Sequence, residues 1–297
     1  NHLTMESQEK LNDILCCPEC YYNLIKDEDL TCHSCRKHYP IYNGIPVPIS
    51  DIELQNQIAD DRIDQMHLKE IIKSKIPMPD ERLWSPKAKK LIKKILIEKN
   101  PESPNTYVVN MGSGVESFYK KIFISFKSLI RIGVPHSGYV NAYSDAMSLP
   151  LKSNSVDLFI SSSVIEHLPD PEKAVSELFR TIKPGGLVYA EIPFIGAYHM
   201  APHDYQRYTI SGIEALFSRH GFLFQNKGIC SGPVTAVVLL IQHAIVEAIP
   251  FGPIQFLLRV ILTWLFHPLK YLDYFFSRLK WGEYLACNFF YLGRKPE

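Results

Sequence analysis

The sequence lacks a charge surplus: its 297 residues carry 32 lysines and arginines against 31 aspartates and glutamates. Polyanions are held by a basic field, so this balance argues against a nucleic-acid partner. It also lacks an uninterrupted apolar run of the roughly twenty residues that a membrane-crossing helix needs. The greasiest stretch, between positions 230 and 283, is broken by Glu247, Pro250, Gly252, Pro253 and Arg259. The first ten residues are polar and hold no secretory signal, and Met5 is a candidate native start behind Asn1. The expected location is cytoplasmic, with peripheral attachment to a membrane as the variant to test.

Cysteine is scarce too, at seven residues, but it is clustered. Cys17-Pro-Glu-Cys20 and Cys32-His-Ser-Cys35 are two Cys-x-x-Cys knuckles about a dozen residues apart, which place four thiolates around one tetrahedral ion. Paired disulfides are the rival reading, and the lack of a secretory signal weighs against them. Cys16 and His33 are substitute ligands, but only Cys17, Cys20, Cys32 and Cys35 give symmetric knuckles. A fully ligated Zn²⁺ has no open position, so it should fold the module rather than catalyse. The following HYPIYNGIPVPI alternates around an Asn-Gly turn, as a hairpin does. Residues 1–50 therefore read as a zinc ribbon.

Residues 51–105 read as a helical connector. Ile63, Met66 and Ile71 or Ile72 fall near helical spacing, and KAKKLIKKILIEK forms a basic amphipathic helix among Pro77, Pro79, Pro86, Pro101 and Pro104. The short lysine run suits a solvated face better than an anionic surface.

The most informative stretch is Asn141 to Phe194. Val156, Leu158 and Ile160 form a buried strand. Asp170 and Pro171 start a helix as N-cap and first-turn proline, and Ala174, Val175, Leu178 and Phe179 form its apolar face. Lys183-Pro184-Gly185 stops it before a second apolar run, Leu187 to Ile192. Such a unit closes a right-handed crossover in a parallel sheet whose ligands sit at the carboxyl ends of the strands. Upstream, YVVNMGSGVE from Tyr107 reads as a strand entering a Gly-x-Gly turn, where backbone can approach a ligand closely.

These motifs, "SVD", "EHLPDP", "ELFRTIKPGG" and "EIPF" in order, resemble the class I S-adenosylmethionine-dependent methyltransferases of the type 11 branch, over residues 106–297. The ribbon is similar to the short zinc-ribbon domains that precede or activate methyltransferases. The resemblance implies an α/β fold: a three-layer, Rossmann-like, seven-stranded sheet, with an apolar helical insertion (230–283) before the last strand. It implies S-adenosylmethionine as cofactor, held by Asn110, Gly112, Ser113, Gly114, Asp145, Ala146, Ser161 and Ser162, with Asp145 accepting from the adenine amine. The family's acidic residues of the first two strands are replaced here by Asn110 and about Pro135. Losing one charge-assisted ribose acceptor costs about 1.5–3 kcal/mol of affinity.

Glu166 and His167 follow the fourth strand. His167 is a candidate base, with a scaffolding role for the pair standing beside it. The loop FIGAYHMAPHDYQRYT gathers His199, His203, Asp204, Tyr205 and Arg207 where this fold recognises its acceptor. His203 is a second candidate base, Glu166, His199, Asp204, Tyr205 and Arg207 are candidate acceptor ligands, and His199, His203 and Asp204 are also a minor candidate metal set.

The insertion, with Trp264, Trp281, Lys270, Arg278 and Lys280, suits a membrane interface, a homodimer surface or a lid over a greasy acceptor. The expected function is transfer of a methyl group to a small-molecule, lipid or lipid-linked acceptor. The rival is an inactive methyltransferase-like protein that docks a partner through its ribbon.

Overall fold

The computed structural model describes residues 4–59, 83–112, 126–134 and 140–297. Ser113, Gly114, Pro135, Ile63, Met66, Ile71 and Ile72 lie outside the described residues.

A first helix, α1 (Met5–Ile14), begins at Thr4, whose hydroxyl accepts from the Ser7 amide in a capping box. The ribbon follows as β1 (Leu24–Lys26), β2 (Leu30–Cys32) and β3 (His38–Tyr39), then the two-stranded hairpin β4 (Ile41–Tyr42) and β5 (Ile45–Pro46). Asn43 and Gly44 turn that hairpin at φ of 52° and 81°, the left-handed pair that an Asn-Gly turn requires. Helix α2 (Ile52–Ala59) and the lysine-rich helix α3 (Pro86–Lys99) lie on either side of the undescribed part of the connector. Ser85 caps α3 and Pro86 opens it.

The main sheet consists of β6 (Val108–Met111), β7 (Ile130–Gly133), β8 (Ala142–Tyr143), β9 (Val156–Ser162), β10 (Ile182–Pro193), β11 (Leu223–Ser231) and β12 (Asn288–Arg294). Their order is β11-β12-β10-β9-β6-β7-β8. The pairs from β10 to β8 are parallel, and β12 runs antiparallel to both its neighbours.

Side chains alternate across the sheet with period two. Phe159, Val188, Ala190, Phe289 and Tyr291 enter a core closed by α1, α4 (Pro171–Thr181) and α5 (Ile210–Arg219). Leu158, Ile160, Tyr189 and Phe290 enter a second core closed by Ala88, Ile92 and Ile95 of α3. The result is the three-layer arrangement expected. α4 starts as anticipated, with the Asp170 carboxylate accepting from the Lys173 amide.

The ribbon is not a free appendage. Its Leu30 and Tyr39 share one core with Leu149 and Leu151, the Cys16 amide donates to Pro150 O at 2.9 Å, and the Arg180 guanidinium stacks 4.0 Å over Tyr21.

Strand β11 runs two residues into the stretch expected to be the insertion, 230–283. Ile229 and Ser231 keep pairing with Phe289 and Asn288. The inserted helices α6 (Pro233–Glu247) and α7 (Gly252–Phe266) therefore begin only after Gly232. Asp273, in the short helical turns that follow α7, caps α6 by accepting from the Val234 and Thr235 amides at 2.8 and 2.9 Å. No helix among the described residues is long and apolar enough to cross a membrane.

Candidate functional site

The carboxyl ends of β6, β9 and β10 bring most of the described candidate residues to one edge. Gly112 leaves β6 at φ +73°, and a Cβ there would lie 2.0 Å from Val164 Cγ2. Only glycine fits this position, on both conformational and steric grounds. Asn110 is buried one turn of the pleat before it. Beyond β8, Asp145 accepts from the Met147 amide at 2.8 Å, and burial pushes its carboxyl above the ordinary aspartate value. Ala146 is buried beside it.

Three serines end β9, and each is placed differently. The Ser162 hydroxyl donates to Glu191 Oε2 at 3.0 Å. The Ser161 and Ser163 hydroxyls are buried with no hydrogen-bond partner among the described residues. Ser163 also sits at φ 52°, a conformation costly for a side-chain-bearing residue and typical of functional turns. Orphaned buried hydroxyls beside a glycine turn and a buried aspartate fit a polar cofactor laid across these strand ends.

Glu191 was not anticipated. It occupies the middle of an apolar run, 1% exposed, and receives Tyr189 Oη at 2.6 Å and Cys230 Sγ at 3.2 Å in addition to Ser162. The acidic interruption in "YAEIPF" was the available signal.

A second cluster forms between the turn after β9 and the loop after β10. Glu166 is fully buried, and its carbonyl accepts from the Tyr205 amide at 3.0 Å. His167 Nδ1 lies 2.6 Å from His203 O. A carbonyl only accepts, so Nδ1 carries a proton, and in the neutral ring the lone pair is on Nε2. That Nε2 stands 3.8 Å from Glu166 Oε1, and the ring meets His199 edge-on, centroids 4.9 Å apart.

Asp204 is forked by Arg207 with two contacts, of 2.5 and 2.6 Å, and also accepts from the His199 amide at 2.8 Å. The guanidinium holds its carboxyl down to about 2. Burial pushes the His199 imidazole below its ordinary value. His203 differs from its loop neighbours: its ring faces outward against Tyr205 Oη at 3.2 Å, and only its carbonyl joins the cluster. Tyr205 is likewise exposed. The trio whose ligand atoms all lie within 4.8 Å of one another is Glu166, His167 and His199, not the set His199, His203 and Asp204.

The ribbon cysteines converge. Cys17, Cys20, Cys32 and Cys35 place their sulfurs within 4.8 Å of one another, with Cys17 and Cys35 3.6 Å apart and Cys20 and Cys32 3.4 Å apart. A tetrahedron with zinc–sulfur bonds of about 2.3 Å has edges of about 3.8 Å, so the donor set fits Zn²⁺. Tyr39 Oη, 3.2 Å from Cys17 Sγ, adds the outer hydrogen bond that such thiolates usually have. Cys16 stays out of the set, and burial pushes its thiol up to about 12.

A parallel sheet with an antiparallel seventh strand, a glycine turn after its first strand and an acidic residue after its third defines the class: a Rossmann-like cofactor-binding domain of methyltransferase type. Comparison with known proteins agrees. A family described as "Methyltransferase domain" matches residues 133–190, and one described as "Trm112p-like protein" matches residues 8–44. Residues 133–190 are thus similar to methyltransferase domains, behind a four-cysteine ribbon that is similar over residues 8–44 to Trm112p-like proteins.

An uncharacterized methyltransferase of Mycobacteroides abscessus is 45% identical over 53 residues, 18% of this chain and 20% of the relative. One from Mycobacterium bovis is 52% identical over 42 residues, 14% of this chain and 16% of the relative. The chain thus spans about a fifth of the length of these curated relatives. The phosphoethanolamine N-methyltransferase 2 of Haemonchus contortus, solved with S-adenosyl-L-methionine, superposes with a TM-score of 0.43 at 17% identity, over 69% of this chain and 52% of that one.

Proposed function

We propose that the protein transfers a methyl group from S-adenosylmethionine to an acceptor seated over the loop at 194–209. The observation that carries this reading is the single strand edge shared by Gly112, Asp145, the orphaned Ser161 and Ser163 hydroxyls and the Glu166–His167 pair. The cofactor brings an activated sulfonium methyl, so the protein has mainly to align the acceptor and exclude water.

Gly112 would let the chain approach the cofactor, Asp145 would accept from its adenine amine, and the free serine hydroxyls would replace its lost water contacts. His167 Nε2 is the group set to take a proton from the acceptor, because His203 O fixes the tautomer that leaves it a lone pair. Arg207, already committed to Asp204, shapes the loop more than it offers a free cation. The apolar insertion starts from the same sheet edge, which favours a lipid or lipid-linked acceptor and a peripheral association with membrane.

Calorimetry on the zinc-loaded protein tests the reading. Micromolar S-adenosylmethionine binding is expected, lost in Asp145→Ala with the fold intact by circular dichroism. His167→Gln should retain binding and lose on the order of 10²-fold or more in turnover if the imidazole is the base. The rival reading, a methyltransferase-like docking module, draws on Asn110 standing where an acidic ribose ligand is expected. It predicts no cofactor binding at millimolar concentration.

A further inference from the structure

The α6–α7 hairpin is inside out. Thr235, Gln242 and Thr263 are among its buried side chains. Val237, Leu240 and Ile241 on α6 and Ile254, Leu257 and Ile261 on α7 are 38–57% exposed. Their spacings, i, i+3, i+4 and i, i+3, i+7, place each trio on one helical face. Water-facing helices show the opposite pattern, and an exposed apolar face of this extent marks an interaction surface. The hairpin's two charges, Glu247 and Arg259, pair with each other at 3.1 Å.

The rim has a different chemistry. Trp264 and Trp281 are 53% and 42% exposed, amphipathic rings of the kind that settle at a headgroup boundary. Beside Trp281 opens a groove of about 420 Å³ whose lining includes Lys87, Arg278 and Lys280 against the single carboxylate of Glu283. A lid over the chain's own active site would bury the apolar faces, and they are exposed. A two-fold pairing through this face would bring one cationic rim toward another.

We infer that the α6–α7 hairpin is a monotopic docking surface for an anionic phospholipid bilayer, with the Lys87–Arg278–Lys280 groove receiving a lipid phosphate. The apolar faces supply buried area and the rim supplies attraction to negative headgroups, the two terms that interfacial helices combine. The inference deepens the peripheral association proposed above. Because Ser231 pairs with Asn288 and Asn288 with Pro193, the hairpin leaves the sheet at the edge that carries the candidate site. Docking would thereby present that edge to the lipid.

Vesicle flotation of the full-length, zinc-loaded protein tests this, using phosphatidylcholine with and without phosphatidylglycerol. Binding is expected to the anionic vesicles and to fall roughly tenfold or more in Leu257→Glu/Ile261→Glu. The reversal Arg278→Glu/Lys280→Glu should cost a similar factor on anionic vesicles and little on neutral ones. Both variants change exposed side chains, and unchanged S-adenosylmethionine binding by calorimetry separates failed docking from a failed methyltransferase reading. Absence of flotation with either vesicle overturns the inference. So does a dimer in sedimentation velocity that the Leu257→Glu/Ile261→Glu variant dissolves, which would assign the face to a second copy of the chain.

Discussion

At the scale of single residues, the site depends on positions that tolerate one residue type. Gly112→Ala combines a left-handed backbone with a Cβ placed inside Val164. It is expected to cost about 1–3 kcal/mol and to abolish cofactor binding, read by chemical denaturation and calorimetry. Asp204 is a test of electrostatics. Its folded pKa, about 2, lies below the ordinary carboxyl value because Arg207 forks it, so the pair contributes stability above about pH 4 that is lost as pH falls through about 2, in all about 2 kcal/mol. Asp204→Asn should lower stability by about that amount at neutral pH, and the gap from wild type should narrow below about pH 4. A gap that stays constant into acid would show that Asp204 acts through shape rather than charge.

Legibility differs sharply among these residues. Gly112 stood out because a glycine turn at a strand end has a strong local signature, whereas Asp145 and the serines were reached through the resemblance to methyltransferases. The Asp204–Arg207 fork and the outward turn of His203 arise in a loop without periodicity, where side-chain direction is settled by tertiary contacts. Glu191 was hidden because a buried strand reads as apolar, and its partners Ser162 and Cys230 come from two other strands.

At the scale of elements, the start of helix α4 was legible to the residue, since Asp170 and Pro171 mark it in sequence, whereas its end was not: the helix stops at Thr181 and β10 already begins at Ile182, running through Lys183-Pro184-Gly185. The ribbon was legible through its ligands, but its docking was not. Leu30 and Tyr39 are ordinary ribbon residues until they share a core with Leu149 and Leu151 next to Asp145. That shared core is the route by which metal loss would reach the proposed cofactor site. Cys32→Ser, or prolonged chelation, is expected to remove zinc, lower the melting temperature and weaken S-adenosylmethionine binding at least roughly tenfold, because structural zinc carries folding free energy. Unchanged cofactor affinity in zinc-free protein would make the ribbon an independent appendage despite its contacts.

At the scale of the whole molecule, the hairpin and the sheet have opposite demands on solvent, and they meet at a narrow root. The Cys287 amide donates to Ser231 O at 3.0 Å, so the two ends of the insertion are already neighbours in the sheet. The contacts that anchor the site loop, Phe194 N to Cys287 O at 2.8 Å and Ile195 N to Ala286 O at 3.3 Å, also lie at that root, outside the helices. Asp273, whose carboxylate accepts from the first-turn amides of α6, lies within the inserted segment, so its loss with the helices orphans no amide of the sheet. Replacing residues 233–285 by a short Gly-Ser turn should therefore join β11 and β12 as an ordinary hairpin. The shortened protein is expected to keep its zinc, its S-adenosylmethionine affinity within about threefold and a cooperative melt, since no residue of 233–285 belongs to either sheet core and the segment covers only the rim of one, where Gly282 lies against Ile229. It should lose all flotation with anionic vesicles. A shortened chain that fails to fold would show instead that the helices belong to the methyltransferase core, with Ala236 and Val246 packing that the sheet cannot do without.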